Sequence, residues 1–177
     1  MTVQDVGVHV PSGAGDAWWF LGTRMTVLAD SDLSGGRLTL AVQESPAGFG
    51  PPRHRHEAED EAFFVLDGAL HIECGDQAWE AGPGSFTWLP RGVPHTFIVI
   101  EAGRILQLTT PGGFESFLTE VGAPASAAGL PAPQAPDIPR LAEAAARHGS
   151  TLVGPPLDPA AFGIDPSAAF GIDHAPR

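Results

Sequence analysis

Turn-forming residues interrupt the chain at short intervals between Trp18 and Thr110, and this spacing restricts the fold more than any other feature. Glycine and proline supply 22 and 18 of the 177 residues, and many of them separate short runs of β-branched, leucine and aromatic residues. Turns are expected at Gly35-Gly36, Asp67-Gly68, Gly75-Asp76, 81–84 and 90–94. This pattern predicts an all-β sandwich or barrel and argues against alternating strands and helices.

The runs between these turns are the predicted strands: 18–22, 24–29, 37–45, 61–68, 69–74, 77–81, 85–90, 95–100 and 104–110. The run 37–43 alternates most regularly, with Leu38, Leu40 and Val42 on one face and smaller or polar residues on the other. We expect the leucine-rich face to point into the interior.

The character of the chain changes after Thr110. Apolar residues recur at helical spacing near 113–121, and the run 137–148 reads as a second helix, with Asp137 as its N-cap. An alanine- and proline-rich linker lies between them. We therefore predict a β-barrel domain at 1–110 and a C-terminal extension at 111–177.

Composition excludes several classes of partner and of chemistry. The formal net charge is −12 and no basic run occurs, so nucleic acid and anionic membranes are not expected partners. All nine basic residues are arginines and tyrosine is absent, which rules out lysine or tyrosine catalysis. The single cysteine, Cys74, cannot form an internal disulfide, and the N-terminus does not read as a signal peptide. A cytoplasmic protein is expected.

Histidines and acids are concentrated in one charged stretch. His54 and His56 are two residues apart, and on a strand both imidazoles would share a face; Glu61 follows, and His95 lies beyond a turn at Pro90 and Gly92. If the strand of His95 lies beside the first, three nitrogens and one oxygen converge on one ion. A solvated surface loop is the alternative that these residues leave open.

Two longer patterns give these residues a context. The first, G-x5-H-x-H-x4-E-x6-G, is filled by Gly48, His54, His56, Glu61 and Gly68. The second, G-x5-P-x-G-x2-H, is filled by Gly84, Pro90, Gly92 and His95. Together they resemble the two signature motifs of the cupin superfamily, and the short segment 69–83 between them resembles that of bacterial single-domain cupins. Val99 departs from the pattern, because the second motif of the family usually ends there in asparagine.

The resemblance implies a double-stranded β-helix, the jelly-roll barrel of cupins. It further implies that His54, His56, Glu61 and His95 are the ligands of one divalent transition metal ion, such as Fe, Mn, Ni, Co, Cu or Zn. The sequence that follows the barrel, "TTPGGFESFLTEVGAPASAAGLP", also resembles that of quercetin-dioxygenase-like cupins. Cupin barrels of this size commonly pair, so we expect a homodimer, in which the apolar "DAWWFLG" segment covers either a partner or its own barrel edge.

The expected substrate is a small molecule in an apolar pocket. Leu40, Phe63, Trp88 and Phe97 are the predicted pocket residues, although each could instead belong to the barrel core. The leading hypothesis is a dioxygenase that acts on an enolic or phenolic aromatic molecule, in which Glu61 is catalytic and takes the substrate proton. The alternatives are a non-redox metalloenzyme (a polyketide cyclase, isomerase or lyase) and a non-catalytic small-molecule-binding cupin.

Overall fold

Two long strands, Asp60–Cys74 and His95–Thr110, lie at the centre of the fold. The computed structural model describes residues 6–132 and 136–165. Its strands are β1 (Asp16–Phe20), β2 (Thr23–Ala29), β3 (Thr39–Ser45), β4 (His54–His56), β5 (Asp60–Cys74), β6 (Gln77–Ala81), β7 (Phe86–Leu89), β8 (His95–Thr110), β9 (Ala123–Pro124) and β10 (Ser150–Leu152). Its helices are α1 (Ser31–Ser34), α2 (Phe114–Val121) and α3 (Ile138–Arg147), followed by a 3₁₀ turn at Pro159–Phe162.

Strands β5 and β8 pair antiparallel along almost their whole length and are shared by two sheets. The first sheet has the order β9-β1-β2-β3-β8-β5-β7 and uses the second half of β8 and the first half of β5. The second has the order β10-β4-β8-β5-β6 and uses the other halves. This is an all-β jelly-roll barrel, so the predicted fold class is confirmed.

The two long strands change direction where their glycines meet. The pairing register of β5 and β8 shifts between Val65 and Leu70. A Cβ on Gly103 would lie 2.2 Å from the carbonyl oxygen of Asp67, so the backbones approach too closely for any side chain there. The predicted strands 61–68 and 69–74 are therefore one bent strand, and so are 95–100 and 104–110. The predicted turn at Asp67-Gly68 is wrong, because the chain bends there without leaving the sheet.

The barrel core lies between the two sheets. Buried apolar side chains of both halves of β5 and β8 meet there, and β6 and β7 close the cluster with Ala81 and Leu89. Glu61, Phe63 and Val65 alternate into this interior, as do His95, Phe97 and Val99. Val99, which departs from the family motif, is a buried residue of this core cluster.

Strand β3 points the other way from the prediction. Thr39, Ala41, Gln43 and Ser45 are buried, whereas Leu40 lies on the opposite, partly exposed face. The alternation of buried and exposed residues along β3 was predicted correctly, but the face predicted to point inward was the wrong one. The inner face of β3 carries polar side chains and Ala41, and its larger apolar side chains, Leu40 and Val42, lie on the outer face.

The C-terminal segment packs on the barrel. Helices α2 and α3 fall within the ranges predicted as helical, and Glu120 of α2 pairs with Arg147 and His148 at the end of α3. Strand β10 then pairs with β4, which places Ser150 opposite His56. The proposed division at residue 110 stays a prediction, and residues 133–135 and 166–177 of the extension lie outside the described part. No helix in the described ranges is long and apolar enough to span a membrane.

The close approach at Gly103 makes a testable prediction. Gly103→Ala should lower the free energy of unfolding by about 1–3 kcal/mol, because the new methyl group meets backbone that cannot move aside. Gly82→Ala is the matched control, since a Cβ at Gly82 has no atom within 4 Å. Urea unfolding of both variants measures the difference. If both substitutions lowered the free energy of unfolding equally, the close approach of the two backbones at Gly103 would not be the cause.

Candidate metal centre

Three short pieces of strand bring the four predicted ligands together. His54 and His56 lie on β4, and His54 is directly opposite His95, the first residue of β8. Glu61 lies near the start of β5. The histidines therefore come from the second sheet, and Glu61 faces them from the first.

The ligand atoms of these four residues all lie within 4.8 Å of one another. Glu61 Oε2 is 3.1 Å from His95 Nε2 and 3.8 Å from His56 Nε2. His56, Glu61 and His95 are buried, and His54 is half-buried. The alternative of a solvated surface loop is therefore wrong, because these side chains point into the barrel.

Backbone carbonyls orient two of the imidazoles. His54 Nδ1 lies 2.9 Å from the carbonyl oxygen of Pro52, and His95 Nδ1 lies 3.0 Å from that of Val93. A carbonyl oxygen only accepts, so each Nδ1 carries the proton and donates it. In a neutral imidazole, Nε2 then presents a lone pair to the centre of the cluster, as metal-binding histidines do.

His56 shows the same arrangement with side-chain partners. Its Nδ1 is 3.0 Å from Ser150 Oγ and 3.4 Å from Glu59 Oε2, whereas its Nε2 is buried and has no hydrogen-bond partner. A buried polar nitrogen without a partner is costly unless an ion or a water meets it. Since this atom faces Glu61, a metal ion fits its surroundings.

Gln107 fixes the orientation of the carboxylate. Its Nε2 donates a 2.7 Å hydrogen bond to Glu61 Oε1, and both side chains are buried. This bond occupies Oε1 and leaves Oε2 facing the histidines. Glu61 Oε2 and the lone pair of His95 Nε2 are close enough that a proton or a metal ion must neutralise the contact.

Burial and mutual contact shift the pKa values of three of these side chains, His54, His56 and Glu61. Burial, followed by the charge of His95, lowers the pKa of His54 to about 4. Burial alone would also lower the pKa of His56, but the carboxylates of Glu59 and Glu61 outweigh it and raise this pKa to about 10. Burial would raise the pKa of Glu61, yet the imidazoles of His56 and His95 hold it well below its usual range. Glu61 is therefore ionised and His54 neutral, which are the states that bind metals, whereas His56 holds a proton that a metal ion would displace.

Three imidazoles and one carboxylate fit a divalent first-row transition metal. The donor set does not rank Fe, Mn, Ni, Co, Cu and Zn against one another. Four protein ligands leave one or two coordination positions for a substrate or water in a five- or six-coordinate ion. We conclude that the cluster can hold such an ion.

An apolar cavity of about 70 Å³, open to solvent on one side, adjoins the cluster. His54, His56 and Glu61 line one part of it, with Gln43, Gln107 and Ser150 as further polar groups. The remaining walls are apolar and include Phe20, Phe49, Phe97, Phe114, Phe117 and Leu141. Helices α2 and α3 thus form one wall of the cavity.

Only one of the four predicted pocket residues lines this cavity. Phe97 does, and Phe63 is a core residue whose ring packs 5.2 Å from that of Phe97. Trp88 is 46% exposed, and Leu40 lies on the outward face of β3. Leu40 and Trp88 were predicted on the wrong face, because hydrophobicity does not tell which side of a strand faces inward. Phe63 does point inward, but it packs in the core and is not part of the cavity lining.

Sequence reasoning missed Gln43, Gln107 and Ser150. The two glutamines occupy interior positions of predicted strands, where a buried amide needs a specific partner, and this was the available signal. Ser150 carried no such signal, because it lies 94 residues from His56 along the chain.

The jelly-roll barrel and its three-histidine, one-carboxylate cluster define a class of metal-binding β-barrel. Residues 41–109 match the model of the cupin domain family. Both motifs and all four candidate ligands fall within this range. The match agrees with the resemblance that the two motifs predicted, and it covers the part of the barrel that carries the cluster.

Quercetin 2,3-dioxygenase from Bacillus subtilis (strain 168) is 26% identical to this chain over 138 residues, or 76% of this chain. The chain spans only 41% of that relative. A predicted oxalate decarboxylase from Thermotoga maritima superposes with a TM-score of 0.54 and 16% identity, covering 59% of this chain and 99% of that one. An RmlC-like cupin from Shewanella frigidimarina superposes with a TM-score of 0.53 and is 15% identical in sequence. The superposition covers 62% of this chain and 96% of that one. At 15–16% identity, these two structures support the fold of this chain and not its function.

The bond from Gln107 to Glu61 makes a second prediction. Gln107→Met keeps the size of the side chain but removes its donor, so Co²⁺ affinity should fall about 10- to 100-fold. Gln43→Met is the matched control, because Gln43 is also buried and lines the cavity but donates to Ser45. Calorimetric titration with Co²⁺ measures both affinities. Equal losses would mean that cavity packing, and not orientation of Glu61, is responsible.

Proposed function

We propose that this protein is a metal-dependent dioxygenase that acts on an enolic or phenolic aromatic small molecule. The observation that carries the proposal is the position of the histidine and glutamate cluster within the lining of an aromatic-rich cavity. A flat apolar substrate would fill the cavity, with its hydroxyl oxygen directed to the cluster. Dioxygen would be the oxidant, and both of its atoms would enter the products.

The charge of the cavity favours a neutral substrate. Among the described residues that line it, none is an arginine, and the chain contains no lysine. A sugar phosphate or a polyanionic acid would find no arginine or lysine there to hold its charges. A phenol or enol needs only apolar contact for its ring and one acceptor for its hydroxyl proton.

Glu61 is the acceptor that the geometry offers. Its Oε1 is held by Gln107, and its Oε2 is directed to the centre of the cluster. An ionised carboxylate in this position can accept the hydroxyl proton of a substrate bound next to it. The metal, when bound, would supply Lewis acidity and a route for electrons between the substrate and dioxygen. His54, His56 and His95 would then hold the ion while Glu61 carries the proton.

The resemblance to Bacillus subtilis quercetin 2,3-dioxygenase supports this choice of substrate class. Quercetin is a flat enolic and phenolic aromatic molecule, and the apolar, aromatic lining of the cavity suits a molecule of this polarity. Because the chain spans about two fifths of that relative, the substrate is inferred from the cavity together with the resemblance.

Oxygen consumption tests the proposed function. Protein loaded separately with Fe, Mn, Ni, Co, Cu or Zn is assayed in an oxygen electrode with flavonols and related enolic aromatics. At least one metal form should consume oxygen in proportion to substrate. Glu61→Gln should lower kcat at least about 100-fold, since the amide cannot accept the proton. Metal content measured in parallel separates this loss from a loss of the ion.

The same assay distinguishes the alternatives. Turnover of such substrates without oxygen would replace the dioxygenase with a non-redox cyclase, isomerase or lyase. Binding without turnover of any metal form would indicate a small-molecule-binding cupin. Trp88→Ala is a suitable control for nonspecific effects, because its exposed side chain lies outside the cavity and the variant should keep its activity.

A further inference from the structure

Strand β4 carries two of the three histidines of the cluster, yet it is only three residues long and lies between β8 and β10. Towards β8, His54 is opposite His95, and the N–H of Gly92 donates a 2.7 Å hydrogen bond to the carbonyl oxygen of His56. Towards β10, all three residues of β4 are paired. In the described part of the chain, β4 is therefore paired more extensively with the C-terminal segment than with the barrel.

Backbone hydrogen bonds continue this pairing beyond both ends of β4. At one end, the N–H of Glu57 donates to the carbonyl oxygen of Gly149 at 2.7 Å. At the other end, the carbonyl oxygen of Arg53 accepts from the N–H of Val153 at 2.8 Å, and the N–H of Arg53 donates to the carbonyl oxygen of Pro155 at 3.2 Å. We call residues 149–155 the C-terminal strap. It lies along the stretch of chain that holds both histidines.

One side chain of the strap contacts a candidate ligand directly. Ser150 is opposite His56 in the strand register, and its Oγ is 3.0 Å from His56 Nδ1, with both side chains buried. An imidazole that binds a metal through Nε2 carries its proton on Nδ1, so Ser150 Oγ is then the acceptor. Glu59 Oε2 also faces this nitrogen, but at 3.4 Å. The shorter contact with Ser150 fixes the rotation of the ring and directs Nε2 towards Glu61.

The other two histidines are oriented locally and do not depend on the strap. His54 Nδ1 and His95 Nδ1 each donate to the carbonyl oxygen of the residue two positions earlier in the chain. Ser150, in contrast, lies 94 residues from His56. The orientation of His56 therefore depends on the docking of a distant segment, whereas the orientation of its two partners is built into their own turns.

We propose that Ser150 is a positioning residue of the metal centre, and that docking of the C-terminal strap is thermodynamically coupled to metal binding. Ser150 holds Nδ1 of His56 and the ion would hold Nε2 of the same ring, so each contact stabilises the ring orientation that the other needs. Such a coupling is reciprocal. The factor by which the docked strap raises metal affinity is the factor by which the ion favours the docked strap.

The coupling extends to the wall of the cavity. Helix α3 leads directly into the strap, and its residues Leu141 and Ala145 line the cavity, as does Leu152 of the strap itself. An ion that holds the strap in place therefore also fixes this part of the wall, and the apoprotein has a less completely formed cavity. The proposal rests on the candidate metal centre and does not depend on the dioxygenase reaction.

Hydrogen–deuterium exchange of the full wild-type chain, with and without Zn²⁺, tests the coupling. Amides of residues 149–155 should exchange at least about tenfold more slowly in the Zn²⁺ form, because the ion suppresses local opening of the strap. Amides of β1 and β2, which lie in the first sheet away from the cluster, should be unaffected. Unchanged exchange in the strap would overturn the proposal. So would equal slowing in both regions, because the ion would then stabilise the whole fold.

Ser150→Ala tests the positioning role, because it removes the acceptor for His56 Nδ1. Co²⁺ affinity should fall about 10- to 100-fold, and the visible absorption bands of bound Co²⁺ should shift as the ring loses its fixed orientation. Thr151→Ala is the matched control. Thr151 is the next residue of β10, but its exposed hydroxyl donates to Glu57 at 3.1 Å, so this variant should keep the wild-type affinity and spectrum.

Two results would overturn the positioning role of Ser150. One is a Ser150→Ala variant with the affinity and spectrum of the wild type, and the other is an equal loss in both variants. Circular dichroism confirms that each variant is folded. Neither measurement uses a substrate or oxygen, so failure here leaves the proposed function standing, and failure of the oxygen assay leaves this proposal standing.

Discussion

The contact between Glu61 and the histidines of the opposite sheet is the interaction on which the rest of the structure depends. An ionised carboxylate in a barrel interior is costly unless charges and hydrogen bonds surround it. Gln107 satisfies Oε1, and the imidazoles of His56 and His95 face Oε2. This arrangement requires both sheets at once, because each sheet supplies only part of the cluster. The shared strands β5 and β8 hold the two sheets in the necessary register.

The same constraint links the metal centre to the outer face of the barrel. Side chains alternate along a strand, so a residue directed inward places its neighbours outside. With Glu61 and Gln107 inside, Phe64, Leu106 and Leu108 must lie on the outer face of the sheet. The apolar residues needed for strand formation therefore appear outside at this end of the barrel. A polar interior and an apolar exterior at this end of the barrel are two consequences of one alternation.

The fold and the ligands were predictable from sequence because both depend on local patterns. Glycines and prolines mark the turns, and the spacing of His54, His56, Glu61 and His95 reproduces two motifs. The direction of β3 was not predictable, since a regular alternation is equally consistent with either face being inside. Nor was the continuity of β5 and β8: a glycine that allows two backbones to approach closely resembles, in sequence, a glycine that ends a strand.

The contribution of the C-terminal segment explains why a family match leaves the reaction open. Ser150 contacts His56, and Leu141 and Phe117 form part of the cavity wall. All three lie beyond the residues 41–109 that match the cupin domain. The four candidate metal ligands are thus inside the matched range, while part of the cavity wall is outside it. Chains that share these motifs and differ after residue 110 can therefore hold the same ion and accept different molecules.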